Sequence, residues 1–255
     1  MPNSSTDIPA IEFDYVSFAI NSHPILYDLK LSVRQGETLV LLGRSGSGKT
    51  SALKLVNRLA LPTAGIVRVN GRATTEWEPI RLRRSIGYVI QDGGLFPHFT
   101  VEKNIGLVPQ IENWPKERIE QRVAELLTLV GLAPDLAARY PRELSGGQRQ
   151  RVGVARALAA DPPILLLDEA FGALDPITRS KIQQEFRALQ GRMKKAVIFV
   201  THDLREALLL GDRIALLEAG RLIVDLPTAE FVRSREPLVR DYMEAFSAPD
   251  KEAMA

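Results

Sequence analysis

The stretch Gly43-Arg44-Ser45-Gly46-Ser47-Gly48-Lys49-Thr50 decides the fold of this sequence, because its spacing is G-x-x-x-x-G-K-[ST]. The apolar run Thr38–Leu42 before it has the pattern of a buried parallel strand. Residues 49–59 carry apolar side chains at helical spacing. Glycines in a strand-to-helix turn let backbone N–H groups point at a phosphate chain, in front of the positive N-terminal end of the helix. This context favours a phosphate-binding loop over an ordinary glycine-rich turn.

The same loop predicts ATP as the ligand and Mg²⁺ as its companion ion. The Lys49 ammonium can reach the β- and γ-phosphates, and the Thr50 hydroxyl can ligate Mg²⁺. The predicted nucleotide-binding residues of this segment are Gly43, Arg44, Ser45, Gly46, Ser47, Gly48, Lys49, Thr50 and Ser51.

A second apolar run, Ile164-Leu165-Leu166-Leu167, ends in the two acids Asp168 and Glu169. The carboxyl ends of parallel strands form the ligand-binding edge of an open α/β sheet, so these acids are expected beside the phosphate loop. There Asp168 would hold Mg²⁺ through water, and Glu169 would polarise the water that attacks the phosphate. The alternative is a core strand that ends in two solvated acids, and the phosphate loop upstream favours the site.

Strands alternate with helices along most of the chain, which predicts an α/β fold with a mostly parallel sheet, the core of a P-loop NTPase. Two strands at 11–18 and 25–34 surround turn residues and predict an antiparallel β subdomain. The other predicted strands are 66–69, 86–89, 164–167, 196–200 and 214–217, with helices at 176–190 and 203–210.

Helical periodicity without strand signals marks residues 101–106, 115–130 and 146–160. We therefore expect an inserted α-helical subdomain at 99–160 within one domain, 1–255. The nucleotide-binding core is predicted at 11–98 and 161–226, and a short, partly helical C-terminal tail at 227–255.

Composition excludes several classes of protein. Lys and Arg number 33 and Asp and Glu 31, so the net charge of +2 does not indicate a nucleic-acid-binding protein. The absence of cysteine excludes a disulfide framework and a cysteine-based metal site. The apolar runs are far shorter than the roughly 20 residues of a membrane-spanning helix, and residues 1–10 lack the pattern of a signal peptide. Any membrane role is expected to come through a partner.

The segment Leu144-Ser145-Gly146-Gly147-Gln148 lies between the two nucleotide motifs, and a plain helix cap needs no double glycine. Ser145 and the N–H groups of the glycines would open a second helix N-terminus that suits an anion. With this signature the chain resembles the ABC ATPases over residues 11–226. The resemblance implies that Ser145, Gly146, Gly147 and Gln148 bind ATP held by a second copy, in a head-to-tail dimer.

The resemblance also implies roles for three single residues. Gln91, after a predicted strand, would sense Mg²⁺ and the attacking water; His202 would contact the γ-phosphate; Asp175 would contact the other copy and its nucleotide. The predicted catalytic set is thus Glu169, His202, Gln91 and Lys49, and the predicted metal set Thr50, Gln91 and Asp168. Asp175 could instead cap the helix that Pro176 begins.

Adenine stacks on an aromatic side chain of the first strand pair in this family. Ile20 occupies that position here, and Phe18 is the nearest aromatic residue upstream. Both are candidates for the base contact. An aliphatic residue there lacks the ring-stacking contribution of about 0.5–1.5 kcal/mol.

A narrower likeness points to bacterial importers of quaternary ammonium osmoprotectants such as glycine betaine, choline and carnitine. It rests on Asn57-Arg58-Leu59, Arg83-Arg84-Ser85-Ile86-Gly87-Tyr88-Val89-Ile90-Gln91, Gly94-Leu95-Phe96-Pro97-His98, Arg139-Tyr140-Pro141 and Gly172-Ala173-Leu174-Asp175-Pro176-Ile177-Thr178-Arg179. It implies an integral-membrane permease and an extracytoplasmic binding protein as partners, no nucleic acid, and a peripheral position at the cytoplasmic face of the inner or plasma membrane.

Two other functions stay open from the residues alone. A soluble ABC ATPase of DNA repair or translation commonly carries two cassettes or a long coiled coil, and neither is present. A non-hydrolysing scaffold is disfavoured by the presence of Lys49, Asp168, Glu169 and His202. Leu95, Phe96, Pro97 and Phe99 would supply either apolar contacts to a permease or plain core packing.

Overall fold

A computed structural model describes residues 8–90, 94–172 and 176–247, and these contain two sheets covered by helices. The strands are β1 (Ile11–Ile20), β2 (His23–Val33), β3 (Thr38–Leu42), β4 (Ala64–Val69), β5 (Arg72–Ala73), β6 (Ile86–Val89), β7 (Ile164–Asp168), β8 (Ala196–Thr201), β9 (Arg213–Glu218) and β10 (Arg221–Pro227). The helices are α1 (Lys49–Val56), α2 (Pro79–Arg84), α3 (Val101–Ile111), α4 (Lys116–Leu129), α5 (Gly146–Leu158), α6 (Pro176–Met193), α7 (Leu204–Leu210), α8 (Thr228–Phe231) and α9 (Pro237–Ser247).

The central sheet has the strand order β10-β9-β3-β8-β7-β6, and only the β10–β9 pair is antiparallel. Its registers align the carboxyl ends of three strands, since Leu42 pairs with Thr201 and Asp168 with Val200. The residues that follow β3, β7 and β8 therefore meet at one edge of the sheet, where ligands of such folds bind.

Both faces of this sheet are buried, which is why its strands are continuous apolar runs rather than alternating ones. On one face Leu39, Leu41 and Val200 pack with α1 and with the inner face of the small sheet β2-β1-β4-β5. On the other face Val40, Leu42 and Phe199 pack with apolar residues of helices α3 to α7 and α9.

The predicted fold class, an α/β core with an antiparallel β subdomain and inserted helices, is confirmed. Helices α3, α4 and α5 follow one another between β6 and β7, inside the predicted bounds of 99–160. Among the described helices, none has both the length and the apolar content needed to cross a bilayer.

Two of the differences between the predicted and the observed elements have a clear local cause. The helix predicted at 49–59 ends at Val56, because the Asn57 side chain accepts a hydrogen bond from the Leu59 N–H and Arg58 has a φ of 55°. No strand was predicted for Arg221–Pro227, which forms the edge strand β10 and has no fully buried side chain. Leu222, Val224 and Leu226 of β10 are only partly buried against the two cores, and Asp225 interrupts the apolar run that would mark a fully buried strand.

Candidate nucleotide-binding site

Two glycines of the phosphate loop are required because strands β9 and β2 pack closely against the loop. A Cβ atom on Gly43 would lie 2.2 Å from the Leu217 carbonyl oxygen of β9. Gly48 has a φ of 98°, and a Cβ there would lie 2.6 Å from Leu26 of β2. Only glycine fits at both positions, so the loop is held against the two sheets with its N–H groups free to turn inward.

Lys49 is the cation of this loop, and it is buried. Its Nζ donates hydrogen bonds of 2.8 Å to the carbonyl oxygens of Gly43 and Arg44. Burial lowers the pKa of Lys49, and the charges of Glu169 and Asp168 oppose that shift. The ammonium therefore lies inside the phosphate loop. An anion that replaced the two carbonyl oxygens would interact strongly with this positive charge, because the charge is shielded from water.

Thr50 and Asp168 bring two hard oxygen donors together. The Thr50 hydroxyl donates to the Asp168 carboxylate over 2.9 Å, and the Tyr88 hydroxyl lies 3.4 Å from the other carboxylate oxygen. Burial raises the pKa of Asp168, while the hydrogen bond from Thr50 opposes the shift. Magnesium bound to phosphates uses only one or two protein oxygens and keeps several waters, so this pair fits Mg²⁺. Among the described residues no three His, Cys, Asp or Glu side chains form a metal-binding cluster.

Glu169 and His202 meet at the same edge of the sheet. The Nδ1 atom of His202 lies 3.4 Å from Oε1 of Glu169. Glu169 has a φ of 46°, unusual for a residue other than glycine, and its N–H donates to the carbonyl of Val200 at 3.1 Å. Strained backbone of this kind persists where the surrounding structure imposes it, and it directs the Glu169 side chain towards the phosphate loop.

The phosphate loop opens into a cavity of about 540 Å³, large enough for a nucleotide. Its lining comprises Pro24, Ile25, Tyr27, Ser45, Gly46, Gly48, Lys49, Thr50, Ser51, Glu169 and Ala219. The Arg221 guanidinium lies 4.4 Å from the centre of the Tyr27 ring and braces it. Tyr27 was not predicted from the sequence, because the alternating pattern of a strand does not show which side chain will line a cavity formed with distant segments.

Neither residue predicted for the adenine contact lines this cavity. Phe18 is only 8% exposed and belongs to the core between the two sheets, so its ring has no open face for a base. Ile20 is 49% exposed at the end of β1, opposite His23. The burial of Phe18 disfavours it as the base contact, and the roles of Phe18 and Ile20 both stay predictions.

A second cavity, of about 380 Å³, lies on the His202 side of the phosphate loop. It is lined by Arg44, Ser45, His202, Asp241, Tyr242 and Ala245. Helix α9 thus contributes Asp241, Tyr242 and Ala245 to the lining of this second cavity. The sequence showed α9 only as part of a helical tail.

The signature segment stands apart from these cavities. Ser145 caps α5 in a reciprocal arrangement, accepting from the Gln148 N–H at 3.2 Å while the Gln148 side chain accepts from the Ser145 N–H at 2.9 Å. None of residues 145–148 lines either cavity beside the phosphate loop. Gln91 and Asp175 lie outside the described residues.

A glycine-rich loop after a central parallel strand, a buried lysine within it and a Thr–Asp pair facing its cavity define a P-loop nucleotide-binding protein of the α/β class. Within that class, the chain belongs to the ABC transporter family, whose model matches residues 26–172. The structure is similar to the dimeric, post-hydrolysis structure of the ATP-binding cassette MJ0796 bound to ADP and Pi. That similarity has a TM-score of 0.77 at 33% identity and covers 86% of this chain and 98% of that one.

Two curated relatives carry the resemblance further. The glycine betaine/carnitine/choline transport ATP-binding protein of Bacillus subtilis (strain 168) is 51% identical over 76% of this chain and 51% of its own length. The glycine betaine uptake system ATP-binding protein of Escherichia coli (strain K12) is 42% identical over 96% of this chain and 86% of its own. The chain spans about half the length of the first of these relatives.

Proposed function

We propose that this chain binds and hydrolyses ATP to power solute import through a separate membrane permease. The observation that carries the proposal is the convergence of four groups at one sheet edge: buried Lys49, the Thr50–Asp168 pair, Glu169 and His202. Each of these side chains has the chemistry that phosphoryl transfer needs, and the register of the central sheet brings them together.

In this proposal the triphosphate lies along the Gly43–Ser51 loop, and Lys49 exchanges its carbonyl contacts for phosphate oxygens. Glu169 orients the attacking water through its carboxylate, and His202 holds the γ-phosphate on the other side. Thr50 and Asp168 would hold Mg²⁺, which supplies positive charge to the phosphates when bound. The base lies at the Pro24–Tyr27 end of the cavity, with the Tyr27 ring as its apolar platform.

The active form is a head-to-tail pair of chains. Support comes from the signature segment, which does not line the cavities beside the phosphate loop of its own chain and presents the N–H groups of Gly146 and Gly147 in the first turn of α5. A second copy would present its residues 145–148 to the triphosphate, with the predicted contact of Asp175 at the same interface. The negative charge of ATP then bridges two positive surfaces and closes the pair, and hydrolysis weakens it.

A groove between the β6 end and helices α3 and α5 suits a permease segment. It measures about 320 Å³, and its apolar lining includes Ile90, Phe96, Leu107 and Val108. Phe96 is 41% exposed there, whereas Leu95 packs partly against the core. Of the four residues predicted for such contacts, only Phe96 lines the groove.

The solute is proposed from the two curated relatives and from the residue likenesses described above: a quaternary ammonium osmoprotectant, glycine betaine, choline or carnitine. The permease and an extracytoplasmic binding protein are its partners, nucleic acid is not, and the chain lies at the cytoplasmic face of the inner or plasma membrane. The ATPase takes no part in recognising the solute, which is why the proposal for the solute rests on likeness alone.

Phosphate release from MgATP by the purified chain tests the proposed activity, with Glu169→Gln as the matched variant. The amide keeps the shape of the side chain but does not orient water as a carboxylate does, so turnover should fall by at least about 100-fold. ATP binding should persist, and size-exclusion chromatography with MgATP should show a stable dimer. A Glu169→Gln chain that turns over near the wild-type rate would remove Glu169 from catalysis; a wild type without turnover would leave the scaffold alternative. Copurification with ribosomes or DNA instead of a permease would favour a soluble ATPase.

A further inference from the structure

A buried acid behind the site, Glu206 of α7, is only 4% exposed and accepts hydrogen bonds at both carboxylate oxygens. The Gln183 side chain of α6 donates to one oxygen over 2.8 Å, and the Thr201 hydroxyl of β8 donates to the other over 2.5 Å. Burial raises the pKa of Glu206, and the hydrogen bond from Thr201 opposes the shift. A buried carboxylate is costly, so its two donors hold three elements in one arrangement.

One side of this network fixes the His202 loop. Thr201 directly precedes His202, and Asp203 directly follows it. The Thr201 hydroxyl also accepts a 3.0 Å hydrogen bond from the Asp203 N–H. The backbone is therefore tied down on both sides of His202, while the His202 side chain itself is exposed and reaches Glu169.

The other side fixes the turn after Glu169. Arg179, one turn before Gln183 on α6, donates to the Gly172 carbonyl at 3.0 Å and lies 3.9 Å from the Asp203 carboxylate. The Gly172 N–H in turn donates to the carbonyl of Glu169 at 3.1 Å. Helix α6 thus contacts both loops that carry the predicted catalytic pair, and it begins one residue after Asp175.

We propose that Glu206 and Gln183 are positioning residues that lock the His202 loop to α6. Through this pair and Arg179, a shift of α6 moves His202 and Glu169 together. The inference rests on the proposed ATP hydrolysis and names residues that touch neither nucleotide nor water.

A swap of the two side chains tests the pair. In Gln183→Glu, two buried carboxylates face each other, so His202 should shift and kcat should fall on the order of 10- to 100-fold. The KM for ATP should stay within about twofold, since the phosphate loop is untouched. The double variant Gln183→Glu/Glu206→Gln again places a carboxylate opposite an amide, with the two groups exchanged between positions 183 and 206. The amide oxygen at position 206 can still accept the hydrogen bond from the Thr201 hydroxyl. We expect kcat within about threefold of the wild type.

Gln190→Glu is the matched control, because Gln190 is on the same helix but donates to Thr38, away from the site, over 2.8 Å. It should leave turnover unchanged. Thermal unfolding is recorded for every variant. If the swap restores stability but not kcat, or if Gln183→Glu keeps wild-type turnover, the positioning role is overturned. The proposed hydrolysis is judged separately, by the turnover of the wild type alone.

Discussion

At the scale of single residues, Tyr27 and Ile20 are two candidates for contact with the base of the nucleotide. Tyr27 lines the cavity with its ring braced by Arg221, whereas Ile20 lies outside the lining. A tyrosine that is stacked on one face by a guanidinium has its other face available for a base. The proposed site therefore uses an aromatic platform from β2, in place of the end of β1.

We expect Tyr27→Ala to weaken ATP binding by about 2- to 10-fold, the loss of one aromatic stacking contribution. Binding of inorganic tripolyphosphate, which has no base, should not change. Isothermal titration calorimetry with both ligands measures the two effects.

Tyr15→Ala is the control, since Tyr15 is also a tyrosine beside a cation, with Lys30 at 4.8 Å from its ring, but it is exposed on β1 outside the cavity. It should leave both affinities unaltered. Should Ile20→Tyr tighten ATP while Tyr27→Ala does nothing, the base lies at the position predicted from the sequence and Tyr27 has no part in it.

At the scale of elements, the proposed pairing of two chains depends on the start of α5. Residues 145–148 do not line the cavities beside the phosphate loop of their own chain. In the proposed head-to-tail pair, each chain therefore contributes one half of two different sites, and a complete site needs two copies. This arrangement makes a prediction that a self-contained site would not make.

Neither a Lys49→Ala chain nor a Ser145→Arg chain should dimerise with ATP by itself, because each lacks one half of both sites. Mixed together, the two chains can form one site with both halves intact, so ATP-dependent dimerisation should recover in part. Analytical ultracentrifugation of the separate and mixed chains measures this. Normal dimerisation of either variant alone would contradict the head-to-tail arrangement.

At the scale of the whole molecule, Arg213 of β9 joins the two sheets. Its guanidinium donates at 2.6 Å to Glu37, which precedes β3, and at 2.6 Å to Asp225 of β10. It also donates to the carbonyl of Ser32 on β2. One largely buried side chain thus connects the small sheet to the edge of the central one.

Arg213→Ala should lower the free energy of unfolding by about 2–4 kcal/mol, because it leaves two partly buried carboxylates without their cation. Burial raises the pKa of Asp225, and the charge of Arg213 opposes that shift, so the variant raises this pKa further. A carboxyl with a raised folded-state pKa stabilises the fold below its unfolded value, about 3.9, and loses that contribution as the pH rises through the folded value. The free energy of unfolding that Arg213→Ala loses should therefore be larger at pH 7 than at pH 4.

Urea unfolding at the two pH values checks this, with Arg68→Ala as the control. Arg68 also faces two carboxylates, Glu12 and Asp14, but within the small sheet and with more exposure on all three side chains. Its removal should cost less than about 1 kcal/mol. Equal losses for the two arginines would show that Arg213 does not connect the sheets energetically.

The sequence by itself determined the phosphate loop, the buried strands of the central sheet and the acids at the end of β7. These features depend on residues that are close along the chain: glycines at fixed spacing, uninterrupted apolar runs, and a capping Ser145. The bounds of β3 and β6 were predicted without error, because a strand buried on both faces leaves an unambiguous apolar run.

Only the tertiary structure decided which side chains from distant segments meet. The position of Tyr27 against the phosphate loop depends on how β2 crosses the central sheet, and the Glu206–Gln183 pair depends on the packing of α7 against α6. The edge strand β10 and the contribution of α9 to the cavity beside His202 likewise depend on tertiary contacts. In each case the deciding contacts join residues far apart in the chain, and the local spacing of residues in the sequence does not predict such contacts.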